Sequence, residues 1–186
     1  MKIRLLLLFL VFLVACNDEY IPKPRGFFRI DLPPHTYQTF DTDCPFTFKF
    51  HQMANTVKKD NAESECWYNI NYANLHATIH LSYQALQGNC EKLIEDSRSL
   101  AYKHTIKATN INEYVVVDDS VKVYGLVYEF EGNTATGTQF YLTDSVHHFL
   151  RGALYFNVTP NEDSLSPITV YINQDIRYFI ETFSWK

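Results

Sequence analysis

The sequence predicts an α+β domain in which a mainly antiparallel β-sheet is covered by two principal helices. Three observations predict it. Apolar residues recur at period two through most of the chain, two stretches switch to three- and four-residue spacing, and the connections between them are short. With six glycines in 186 residues, no stretch after residue 33 reads as a flexible linker, so residues 34–186 form one domain.

Phe46, Phe48 and Phe50 alternate with Thr47 and Lys49, which marks a strand with one buried face. Tyr68, Ile70 and Tyr72 alternate in the same way, as do Ala77, Ile79, Leu81 and Tyr83 after a short break. The two runs predict a hairpin. Gly88 and Asn89 then supply a break and a cap, and Cys90, Leu93, Ile94, Ser97, Leu100, Ala101 and His104 form the stripe of a helix. Strand character returns at Tyr114–Val117, Val121–Glu131, Thr138–Leu142 and Phe149–Val158. A closing helix is expected to start with Ser166 as cap and Pro167 at its first position, with Ile168, Ile172, Ile176, Phe179, Ile180 and Phe183 as its stripe. This element order is similar to that of the layered Mog1/PsbP-like α/β/α folds.

Lys2 and Arg4 precede an apolar run, Leu5–Val14, that is too short to span a bilayer and suits a secretory signal. The run ends in Leu13, Val14, Ala15 and Cys16, the lipobox pattern of bacterial lipoproteins. Residues 1–15 are therefore expected to be a signal peptide, and Cys16 to carry a covalent lipid anchor of two or three acyl chains, enough for stable membrane attachment. The chain has 16 basic and 21 acidic residues, a net charge of −5. An acidic exported protein is a poor binder of nucleic acid or anionic lipid through its overall field.

With Cys16 acylated, Cys44, Cys66 and Cys90 remain in an oxidising compartment. Cys90 falls on a helix stripe and reads as a buried thiol, which leaves Cys44 with Cys66. A simple two-strand hairpin would hold them roughly 20 Å apart at about 3.3 Å per residue, whereas a short strand at Thr56–Asp60 would return both to one edge and permit a disulfide. Without a Cys-x-x-Cys the bond would be structural. His76 and His80 are too far apart on a strand to share an ion, and His147 and His148 point to opposite faces. Each histidine reads as a surface or hydrogen-bonded core residue, so no metal or other cofactor is expected. The chain has no Gly-x-Ser-x-Gly, Gly-rich phosphate loop or His-Glu-x-x-His, and its acid pairs, Asp118/Asp119 and Glu95/Asp96, fall on a turn and a helix face. No enzymatic activity is expected.

Several strings carry a resemblance: PKPRGFFRIDLP (22–33), CPFTFKF, CWYNINY, ATIHLSY, EDSRSLAYKHTIKA, FYLTDSVHHFLRGALYFN and the closing TFSWK. With the lipobox, they resemble the gliding motility lipoprotein GldD family of the Bacteroidetes across the chain after the signal peptide. The resemblance implies a cell-envelope lipoprotein required for gliding and tied to the type IX secretion machinery, acting without catalysis and partnered by other envelope proteins. It carries over no catalytic residues. The outer membrane is the expected location; in that phylum acidic residues such as Asp18 and Glu19 just after the cysteine can favour display on its outer face, and the periplasmic and surface placements both stay open.

Residues 16–33 form a Pro-rich, basic tether with two readings. In one, Phe28, Ile30 and Leu32 pack on the domain and the remainder is a polyproline-like spacer. In the other, Lys23, Arg25, Phe27 and Arg29 dock a partner, since a preformed polyproline segment loses little entropy on binding and Arg is favoured in interfaces. Lys103, His104 and Arg151 make a second candidate surface, where packing is the stronger reading. The competing functional class is an envelope hydrolase or carbohydrate-binding module, which a pocket of converging acids and histidines would favour.

Overall fold

Phe46, Phe48 and Phe50 are all buried on one side of β2 (Phe46–His51), as their alternation requires. The computed structural model describes residues 30–59 and 66–186. Residues 1–15, Cys16 and the tether through Arg29 lie outside the described residues.

Among the described residues the strands form two sheets. β2 pairs with β1 (Tyr37–Phe40) and with the short β10 (Ser184–Trp185), giving the order β1-β2-β10. The larger sheet contains β3 (Asn55–Lys58), β4 (Tyr68–Tyr72), β5 (Ala77–Ala85), β6 (Ala108–Asp118), β7 (Val123–Gly132), β8 (Thr136–Thr143) and β9 (His148–Phe156). Its order is β3-β4-β5-β9-β8-β7-β6, and every neighbouring pair is antiparallel.

After β5 the chain crosses one face of this sheet as helix α1 (Cys90–Tyr102) and reaches the far edge at β6. The meander β6-β7-β8-β9 then brings it back beside β5. Helix α2 (Glu162–Glu181) and the small sheet cover the opposite face, where the main core forms. Ile172, Ile176 and Phe179 of α2 meet Phe46 and Phe48 of β2 and Leu142, Leu150 and Leu154 of the central strands there. Burying each such side chain contributes about 2 kcal/mol. Gly152 faces Phe140 across β8 and β9, and a Cβ on it would stand 2.1 Å from that ring, so the position needs glycine. Beneath α1 lies a smaller cluster of Ala101, Tyr128 and Phe130. The α+β class and the two helices are as the sequence predicts.

Several elements differ from the expectation. Helix α2 begins five residues before Pro167, at Glu162, with Asn161 as its cap. The Asn161 side chain accepts from Ser164 N at 3.3 Å, while Asn133 Oδ1 accepts from Glu162 N and Glu162 Oε1 from Gly132 N. These contacts come from another loop, so the local Ser-Pro signal loses and Pro167 sits inside the helix. Asn89 occupies the cap position of α1, but its side chain accepts from Gln87 N instead. Only Ser97 and Ala101 of α1 are buried. Cys90 is consequently a half-buried free thiol, 3.8 Å from Thr143 Oγ1, rather than a core residue. His104 belongs to the 3₁₀ turn after α1, Lys103–Ile106. His76 is off the strand, in a left-handed turn at φ 48° that closes the β4–β5 hairpin. β6 runs over eleven residues rather than four, and neither β1 nor β10 is signalled by the sequence pattern.

Candidate functional site

The described chain enters the domain through a buried polar cluster. Asp175 lies on the apolar face of α2, three residues after Ile172 and four before Phe179, and is 2 % exposed. A carboxylate there needs donors, since burying it unpaired is costly. His35 Nδ1 donates to Asp175 Oδ1 at 2.7 Å, and Tyr72 OH donates to Oδ2 at 3.0 Å. Burial, and then the Asp175 charge, hold the Tyr72 phenol well above its usual range and push Tyr37 up to about 12. Both phenols therefore keep their protons.

A second chain of hydrogen bonds runs alongside. Met53 N donates to His51 Nδ1 at 3.0 Å, which places the proton of the neutral imidazole on Nε2. Nε2 then donates to Tyr171 OH at 2.9 Å, and that hydroxyl donates to Pro33 O at 2.9 Å. Tyr171 also stacks on His35 at 4.3 Å between ring centroids, and Tyr37 stacks on Tyr178 at 3.9 Å. The cluster clasps the segment 33–37 to α2 and β2.

His35, His51 and Asp175 also bring possible metal-ligand atoms within 4.8 Å of one another. Ligation through His51 Nε2 would require the proton on Nδ1, against the Met53 N–H. The arrangement fits a hydrogen-bonded clasp better than a cation site. Among the described residues, neither hydrogen-bond chain around His35 and His51 contains a serine or cysteine.

The second surface divides in two. His104 and Lys103 border a depression with Lys107 and Pro160. Arg151, on β9, faces a separate cleft with Trp67, Ser82, Asp96, Ser97 and Leu100. Burial and then the Arg151 charge lower the His104 pKa. A third cleft, beside the N-terminal half of α2, has three acids and no histidine. Glu129 pairs with Arg177 at 2.9 Å, Glu131 accepts from Asn112, and Glu162 accepts from Gly132 N. Those carboxylates are committed to the fold, which gives the hydrolase reading no support.

Cys44 and Cys66 form a disulfide with Cα atoms 5.7 Å apart. β3 lies between them in sequence and pairs with β4, which follows Cys66, so the chain returns Cys66 to the end where Cys44 stands. Cys16, Lys23, Arg25, Phe27 and Arg29 lie outside the described residues. The His35–His51–Asp175 cluster is not among the residues singled out in the sequence. Its available signal is the acid within the apolar stripe of α2.

The outer edge of β6 is unpaired among the described residues. It presents Tyr114, Val115 and Val117 at 47 %, 76 % and 64 % exposure. An open edge of this length is a template for strand pairing.

The layers and strand order define a PsbP-like α+β protein. The solution structure of cyanobacterial PsbP from Synechocystis sp. PCC 6803 shares the fold at a TM-score of 0.51 and 8 % identity, covering 89 % of this chain and 99 % of that one. At that identity the likeness shows the fold alone. The chain itself belongs to the gliding motility lipoprotein GldD family, whose model matches residues 17–185. Comparison with curated proteins gives no sequence match.

Proposed function

We propose that this gliding motility lipoprotein is a non-catalytic, partner-binding component of the outer-membrane machinery that couples gliding to type IX secretion. The family makes it a lipid-anchored protein of the cell envelope. The lipobox sequence supports Cys16 as the site of acylation. The observation that carries the binding role is the open, valine-bearing edge of β6, where an extended segment of another envelope protein can add as an eighth strand. Lys23, Arg25, Phe27 and Arg29 of the tether supply a second contact, and the clasp at Pro33 and His35 fixes where that tether leaves the domain.

A photo-reactive amino acid in place of Val115, with a control at exposed Lys92 on α1, tests the reading in living cells. A discrete protein adduct from position 115 and none from 92 is expected. Absence of an adduct at 115, or the same adducts at both positions, overturns the edge as the binding surface.

A further inference from the structure

Among the described residues, Arg151 is a half-buried cation whose hydrogen-bond acceptor is the neutral Gln139 amide. Its Nη2 donates to Gln139 Oε1 at 2.6 Å, and the Tyr155 phenol stands near it. It forms no ion pair with any described carboxylate, although charged side chains drawn out of water are ordinarily paired. Gln139 is 2 % exposed, and its Nε2 has no hydrogen-bond partner among the described residues. Turning that amide over would not help, because it would set an N–H group against the guanidinium. The β8–β9 floor therefore carries a cation without a counter-charge and a donor without an acceptor.

Arg151 opens into a cleft of about 240 Å³ between α1 and the β4–β5–β9 part of the sheet. Trp67, Leu93, Leu100 and Phe149 give it apolar walls, and Ser82 and Ser97 add hydroxyls. We propose that this cleft binds a small monocarboxylate with an apolar body, whose carboxylate pairs with Arg151. The guanidinium fork matches a planar carboxylate. Among the described residues Arg151 is the one cation lining the cleft, and Asp96 lines it too, so a monoanion fits better than a phosphate dianion, which that carboxylate would repel more strongly. Burial lowers the Arg151 pKa, a cost that an arriving anion relieves. This site lies on a different element from the β6 edge, and its test is independent of the proposed function.

The test is a saturation-transfer NMR titration of the full mature chain in detergent. The probes are N-acetyl-phenylalanine, its neutral amide, and glucuronate with methyl glucoside as its neutral control. N-acetyl-phenylalanine is expected to saturate in the low millimolar range, with its amide at least about tenfold weaker. Saturation by glucuronate but not by N-acetyl-phenylalanine would overturn the apolar body and assign the cleft to acidic sugars. Arg151→Gln should abolish binding. Leu100→Trp, an exposed change that fills the cleft, should do the same if the arginine variant fails to fold. The proposal is overturned if N-acetyl-phenylalanine does not saturate below about 20 mM, if its neutral amide binds equally, or if binding survives in a folded Arg151→Gln variant or in Leu100→Trp.

Discussion

His35 Nδ1 and Asp175 Oδ1 lie 2.7 Å apart and join residues separated by 140 positions in the chain. The bond ties the segment entering the domain to the middle of its last helix. Asp175 has a side-chain exposure of 1 % and His35 of 26 %, so the acid is the more sensitive partner. Asp175→Ala strips His35 and Tyr72 of their acceptor and should lower the free energy of unfolding by about 3 kcal/mol, against about 1 kcal/mol for His35→Ala. Urea denaturation of both variants checks this. Equal, small losses would mean that the clasp adds no stability.

Thiol counting addresses the small sheet and its neighbour. The mature lipoprotein should alkylate at one cysteine, Cys90, when denatured without reductant, and at three after reduction. Replacing Cys44 and Cys66 together by serine should cost about 3 kcal/mol on chain-entropy grounds, since the bond closes a 22-residue separation. Intact-mass measurement after alkylation gives the count directly.

The disulfide also shows how far local pattern reaches. The alternations at Phe46–Phe50 and Ala77–Tyr83 are faithful because each strand buries one face, and period two then maps directly onto burial. They say nothing of β10, two residues that pair with β2 only because α2 delivers them there. The Ser166–Pro167 signal is overridden by Asn161, whose helix start is secured by the loop at Gly132 and Asn133. Asp175 is visible as an acid inside an apolar stripe, but its partners come from the entering segment and β4, far off in sequence. The open edge of β6 is a property of sheet order, which periodicity does not encode.

Alkaline stability follows from the buried phenols. Tyr37 and Tyr128 are pushed up to about 12, chiefly by burial, and Tyr72 is raised further. Unfolded tyrosines ionise near pH 10. Below about pH 10 both states keep the proton and these groups add no pH dependence. Between about 10 and 12 the unfolded chain releases protons that the native chain retains, so stability should fall as pH rises. A phenolate absorbance titration should show several of the 13 tyrosines ionising only with unfolding. Complete titration near pH 10 in the folded state would contradict the buried cluster.

The β6 edge and the tether are proposed to work by binding. The direct measurement is complementation of a deletion strain with Val115→Lys/Val117→Lys or with Lys23→Ser/Arg25→Ser/Phe27→Ser, scoring colony spreading and the secreted proteome at matched abundance. Both valines are exposed, so the edge variant should fold and reach the membrane. The account predicts that each variant is abundant and membrane-bound yet restores neither trait. An edge variant that restores both would contradict the binding role of β6, and a tether variant that does so would reduce residues 22–29 to a spacer.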